Sequence, residues 1–206
     1  MESETLQIYD EDRVAQGLAT RKEVHEKGYW HETFHCWVGS REAGKAMIYL
    51  QLRSKDKKDF PNLFDITAAG HILAGETVQD GVREVQEELG LSIPFMDLVS
   101  LGTIKDQLAF PNFIDNEHCH CFFYQRNDNT DAAFVLQQEE VSGIAKLEFT
   151  ELAALFTKQK EIVEIEGFIE KEDERMAFKR WVGLQDFVPH SAAYLAQVIK
   201  QIGLVL

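Results

Sequence analysis

Gly70 to Leu91 reads GHILAGETVQDGVREVQEELGL. Val78, Val82, Val85 and Leu89 recur at intervals of four, three and four residues, which is one apolar stripe of an amphipathic helix. Thr77 is the expected N-cap, with Asp80 as its capping-box partner, and Gly90 is the expected C-cap. Gly81, inside the pattern, costs about 1 kcal/mol relative to Ala and so marks close backbone packing. On such a helix Glu84, Glu87 and Glu88 stand at i, i+3 and i+4, sharing a face opposite the stripe. Arg83 can reach Glu87 one turn on. Carboxylates this crowded repel one another unless water solvates them or a cation bridges them. Hard oxygen ligands of this kind suit Mg²⁺ or Mn²⁺. Spacing alone leaves both possibilities open.

Outward from this stretch the chain mixes strands and helices without regular βαβ alternation, which favours an α+β fold. LQIYDEDRVAQGLAT reads as a hairpin around an acidic turn, and Thr20 to Lys27 as a short helix ending at Gly28. TFHCWVGS and KAMIYLQLRS are strands; KDKKDFPN is a charged loop; LFDITAAGHI begins as a strand. Downstream, MDLVSLGTIKDQ, NEHCHCFFYQR and EVSGIAKLEF read as strands, with AFPNFIDN between the first two and a polar turn at Asp128 to Asp131. TELAALFTKQ reads as a helix capped by Thr150. Glu161 to Leu206 reads as mainly helical, with KEDERMAFKRW amphipathic and SAAYLAQVIKQI a final helix after Pro189. The expected organisation is one domain over 1–206: hairpin and helix in 1–30, a core in 31–156, and C-terminal helices in 157–206.

The chain has 206 residues, 45% of them hydrophobic, with 21 basic and 35 acidic side chains and a net charge of −14. Such a charge repels nucleic acid and anionic membranes, so neither is an expected partner. A phosphate-bearing substrate then requires metal ions or a local basic patch. Arg53, Lys55, Lys57 and Lys58 form the basic run nearest the glutamates, with Arg53 at a strand end. Cys36, Cys119 and Cys121 are too few and too poorly spaced for a disulfide framework. The N-terminus lacks signal-peptide character, and no apolar run approaches the roughly 20 residues needed to span a bilayer. A soluble, cytoplasmic protein is expected, with the hairpin and C-terminal helices as possible homodimer surfaces.

The stretch at 70–91 resembles the Nudix box: Gly70, Glu76, Arg83, Glu84, Val85, Glu87, Glu88, Gly90 and Leu91 match by type. Only six residues, Thr77 to Val82, separate Glu76 from Arg83, one fewer than the pattern has. The resemblance implies a mixed β-sheet sandwiched between helices. It also implies hydrolysis of a diphosphate bond in a nucleoside diphosphate-linked or related small molecule, with Mg²⁺ or Mn²⁺ as cofactor. Glu84, Glu87 and Glu88 would hold metal, and Arg83 would orient a glutamate.

Further segments, VHEKGYWHETFHCWV, RSKDKKDFPNLFDITAAGHILAGE and DNEHC, are similar to the branch containing isopentenyl-diphosphate isomerase. In that branch three histidines and two carboxylates gather a metal; the matching positions here are His25, His31, His71, Asp115 and Glu117. The isomerase cysteine is replaced by Ala69, which can supply neither acid nor base. A hydrolase is therefore expected, with an isomerase-like enzyme or a non-catalytic nucleotide-binding domain as alternatives. The expected catalytic residues are Arg83, Glu87, Glu88 and Glu117. Glu84, Glu87, Glu88 and Glu117 are the expected metal ligands. Arg53, Lys55, Gly70 and His71 are expected to bind substrate. His118 to Cys121 (HCHC) lacks CxxC spacing, and on a strand its histidines and cysteines point oppositely, so it reads as packing. Phe60, Trp30 and Phe110 are candidate walls for a base or prenyl pocket.

Overall fold

The computed structural model describes residues 4–111, 113–127, 133–171 and 174–206. The expected turn at Asp128 to Asp131 lies outside them. The hub is β3 (Trp30–Glu42), a 13-residue strand. It pairs antiparallel with β1 (Thr5–Tyr9), β4 (Lys45–Arg53) and β6 (Ala68–His71), and parallel with β8 (Phe113–Gln125). β2 (Ala15–Thr20) closes the expected N-terminal hairpin on β1. β5 (Phe64–Asp65) adds to β4, and β7 (Val99–Phe110) pairs with β8 along its length. β9 (Val141–Glu148) extends the sheet from β4. The sheet is therefore mixed, as expected for an α+β fold.

Alternation along these strands builds two cores. Ile48, Leu50 and Leu52 of β4, with Trp37 of β3, join one cluster under α3 (Phe149–Phe156) and α4 (Ala192–Val205). Tyr49, with Phe34, Cys36 and Val38, joins the other, under α2 (Arg83–Leu89), through Val85 and Leu89. Burial of these apolar side chains contributes about 1.5–3 kcal/mol each. A smaller cluster of Leu6, Ala19 and Val24 seats α1 (Arg21–Lys27) on the N-terminal hairpin. Its cap is as expected: Thr20 Oγ1 accepts from Glu23 N–H, and Gly28 ends the helix at φ 68°.

Three expectations are corrected. The segment after Glu161 is not mainly helical: β10 (Ile162–Lys171) and β11 (Glu174–Gly183) form a hairpin paired to β9, and only α4 is a helix of the kind expected. The described residues of KEDERMAFKRW therefore lie on strands rather than on an amphipathic helix, and strand outweighs helix in the C-terminal extension. Its Glu, Lys and Arg residues favour helix intrinsically. Burial of Val163 and Ile165 in one core and Phe168 in the other, on a strand paired on both sides, overrides that preference. Thr150 is not the cap of α3. The N-cap is Glu148, and Thr150 Oγ1 donates to its carboxylate at 2.9 Å. Thr77 does not cap α2, for a reason that lies in the site below. No helix among the described residues is long and apolar enough to cross a membrane.

Candidate active site

The cleft, about 310 Å³ in volume, opens where β6 leaves the sheet and α2 lies beside it. A 3-10 turn (Asp80–Val82) precedes α2. Thr77 N–H and O–H both donate to Asp80 Oδ2, at 2.7 Å each, so the Thr77–Asp80 pair closes the turn rather than the helix. A 3-10 turn rises about 2.0 Å per residue against 1.5 Å in an α-helix. Three such residues gain roughly the length of one α-helical residue, which accommodates the missing position. Glu76 consequently still reaches Arg83. Arg83 Nε and Nη2 donate to its two carboxylate oxygens at 2.8 and 3.0 Å. Arg83 also donates to His71 O at 3.1 Å and Glu87 Oε2 at 3.2 Å, and it pairs with Glu84. It orients the glutamate set.

The three glutamates of α2 are not equivalent. Glu87 is half exposed. Glu84 is largely buried, and burial pushes its carboxyl up to about 7 against the charge of Arg83. Glu88 is buried against the edge of β6, accepting from Gln51 Nε2 and Ala69 N–H, both at 3.3 Å. Burial, then the charge of Glu84, pushes it up to about 8. Near neutral pH these two groups therefore hold a proton or a cation in its place. Gly70 matters here because a Cβ at this position would overlap the Glu84 carboxyl.

The opposite wall is a grid of side chains from adjacent strands. In register, His71 of β6 pairs with Thr33 of β3, His31 with Glu117 of β8, and Glu117 with Asp106 of β7. His25 enters from α1. Asp115 Oδ1 lies 3.4 Å from both His25 Nε2 and His31 Nε2, and Glu117 Oε1 lies 4.0 Å from His31 Nε2. His25 Nε2, His31 Nε2 and Asp115 Oδ1 are buried without a hydrogen-bond partner. Convergent buried donors and acceptors left unsatisfied fit a metal ion. Burial alone would raise Asp115, but the imidazoles of His25 and His31, each 3.4 Å from Oδ1, outweigh it and hold the carboxyl low. Burial lowers His71 to about 4 despite the carboxylate of Glu4 beside it, so it is a neutral imidazole able to ligate. All five residues matched to the isomerase branch thus gather at one wall, with Ala69 in the same grid.

Of the residues expected to bind substrate, Arg53, Gly70 and His71 line the cleft and Lys55 does not. Lys55 is exposed and pairs with its neighbour Asp56 at 2.8 Å; Lys57, ion-paired with Glu140, takes its place in the lining. Arg53 fastens the intervening loop, donating to Asp65, Phe60 O and Asp59 O at 2.9, 3.1 and 2.9 Å. Phe60 lines the cleft with Phe113. Trp30 instead stacks on His118, and Phe110 packs on Phe60 from outside the lining. The HCHC cysteines are free and buried.

The sequence did not reveal a second buried polar group behind the grid. His190, just before α4, donates from Nδ1 to Asp106 Oδ2 at 2.7 Å and from Nε2 to Asp65 Oδ1 at 2.9 Å. Burial opposes its charge, but these two hydrogen bonds prevail and push the imidazole up to about 10. His35 Nδ1 lies 2.7 Å from Tyr194 Oη, and His35 Nε2 lies 3.5 Å from Glu117 Oε2. His35 was findable: it alternates with His31 and Thr33 on one strand.

The NUDIX domain model matches residues 30–171. An uncharacterized Nudix hydrolase of Clostridium acetobutylicum is 42% identical over 201 residues, covering 97% of this chain and 97% of that one. An isopentenyl-diphosphate Delta-isomerase of Mycolicibacterium vanbaalenii is 31% identical over 122 residues, covering 58% of this chain and 66% of that one. Among solved structures, DR0079 of Deinococcus radiodurans superposes with a TM-score of 0.54 at 18% identity, covering 76% of this chain and 91% of that one.

Proposed function

The chain belongs to the Nudix hydrolases, which act on diphosphate bonds, and on that premise we propose that it is a divalent-metal-dependent pyrophosphohydrolase of a nucleoside diphosphate-linked or related small molecule. The observation that carries this reading is the pair Glu84 and Glu88. They are two carboxylates buried side by side at one wall of the cleft and raised by that burial toward neutrality.

Glu84, Glu87 and Glu88 would hold metal on one wall; His25, His31, His71, Asp115 and Glu117 would hold it on the other. The metal, Mg²⁺ or Mn²⁺, would neutralise the diphosphate and lower the pKa of an attacking water. The protein supplies the rest. Arg83 fixes Glu76, Glu84 and Glu87 against their mutual repulsion. Gly70 leaves room for Glu84. Arg53 and Lys57 place positive charge in the lining of a very acidic chain, where a phosphate needs it.

A phosphate-release screen with Mg²⁺ and Mn²⁺ over nucleoside diphosphate sugars, ADP-ribose, dinucleotide cofactors and isoprenoid diphosphates tests the reading. At least one compound is hydrolysed, and Glu87→Gln and Glu88→Gln each lower turnover by about 100-fold or more while the protein stays folded. Unchanged hydrolysis in both variants would overturn the assignment. The gathered histidines and carboxylates favour one second reading, an isomerase-like enzyme. Incubation with isopentenyl diphosphate and Mg²⁺ decides it, and absence of dimethylallyl product removes it. Tight binding of one compound without hydrolysis of any would instead indicate a non-catalytic binding domain.

A further inference from the structure

Glu117 offers two different oxygens. Oε1 faces His31 at 4.0 Å, toward the unsatisfied histidine and aspartate atoms. Oε2 faces away from them, with Cys119 Sγ at 3.4 Å and His35 Nε2 at 3.5 Å. His35 turns Nε2 toward this second oxygen, and its Nδ1 points the other way. Its partner is the Tyr194 hydroxyl, 2.7 Å away and fully buried on α4. Cys121 Sγ, 3.9 Å away, donates weakly to the same oxygen, so the phenol proton is left for His35. Tyr194 O–H thus holds His35 at Nδ1, and the other ring nitrogen is left facing Glu117 Oε2 at 3.5 Å.

Backbone register keeps these groups together. His35 pairs with Cys121 on β8 and with Ala69 on β6. The small side chain at 69 leaves the imidazole space in the grid. His35 is 2% exposed, so its orientation is set by packing and by Tyr194 rather than by water.

We propose that Tyr194 and His35 are a positioning pair for Glu117: they fix one carboxylate oxygen and so present the other to the cation of the cleft. The pair acts through Glu117 and touches no reacting atom. The proposal rests on Glu117 being a metal ligand, and the test separates the two claims.

Mn²⁺ affinity of the full chain, read by electron paramagnetic resonance without substrate, is compared for wild type, Glu117→Gln, Tyr194→Phe, His35→Leu and His35→Gln, with thermal unfolding as a check on folding. Partners that orient a ligand typically account for 10–100-fold in affinity, so Tyr194→Phe and His35→Leu each weaken Mn²⁺ by about 10-fold, while His35→Gln, which keeps a donor, stays within about threefold of wild type. Tyr194→Phe removes one hydroxyl and preserves shape, so it carries the test even if His35→Leu does not fold. Weaker binding in Glu117→Gln together with wild-type affinity in Tyr194→Phe overturns the positioning pair alone. Equal loss in His35→Gln and His35→Leu also overturns it, since packing and not the donor would then matter. Wild-type affinity in Glu117→Gln overturns the ligand assignment and the pair with it.

Discussion

Gly70 separates function from stability within a single residue. The atoms a methyl group there meets first are those of the Glu84 carboxyl, the far end of a flexible side chain. Gly70→Ala should therefore leave chemical denaturation within about 0.5 kcal/mol of wild type. Mn²⁺ affinity should fall about 10-fold, as measured by titration calorimetry. His190 shows the converse. Replacing it by Gln leaves the buried carboxylate of Asp106 without its cation and that of Asp65 with Arg53 alone, and should cost about 3 kcal/mol at neutral pH. The folded-state pKa is raised, to about 10 from 6.5. The stability it contributes is therefore complete below the unfolded value and lost as pH rises through the folded one. Urea unfolding of wild type and His190→Gln should converge between pH 7 and pH 10; a constant gap would show that the imidazolium is not what holds this corner. The glutamates of α2 were legible in the sequence because spacing along one helix is local information. His190, Asp65 and Asp106 were not, because residues from the segment before a helix and from two strands meet only after the sheet has formed.

At the scale of elements, α2 owes its place to Gly81 as much as to its apolar stripe. A Cβ at 81 would approach Phe34 Cβ at 2.7 Å and its ring at 2.8 Å, so the close packing expected from the sequence is found against the hub strand. Gly81→Ala should destabilise the protein by about 1–3 kcal/mol through overpacking, read as a lower denaturation midpoint with an unchanged slope. The stripe, the hairpin of β1 and β2, and the capped α1 were readable because periodicity and caps act within a few residues. The shift of the helix start from Thr77 to Arg83 was not, since it reflects a missing residue absorbed by tighter winding. β10 and β11 were misread because their charged residues suit a helix in isolation. Pairing with β9 decides the matter, and that partner is distant in sequence.

For the whole molecule the dominant fact is charge. A chain at −14 surrounds its cleft with a field that concentrates cations and repels anions. Salt screens that field, with a Debye length of about 10 Å at 0.1 M. Raising NaCl from about 0.05 to 0.5 M should therefore weaken Mn²⁺ binding several-fold, whereas affinity independent of salt would assign binding to short-range ligation alone. Mixed architecture was legible at this scale because strand and helix patterns mix without regular βαβ alternation; the order of strands around β3 was not, since pairing partners leave no local mark.

The two walls of the cleft and the residues that brace them are made at different times. His25, His31, Glu84, Glu88 and Glu117 all precede β9 in the chain, whereas His190 and Tyr194 come with α4. During synthesis, therefore, the carboxylates and imidazoles that would hold metal leave the ribosome well before the residues that clamp Asp65 and Asp106 and seat His35. Until α4 docks, the nascent chain carries a ligand set without its back wall, exposed to whatever divalent ions surround it. If those groups hold metal, docking of that last helix would be the step at which a loose chelator becomes a shaped site.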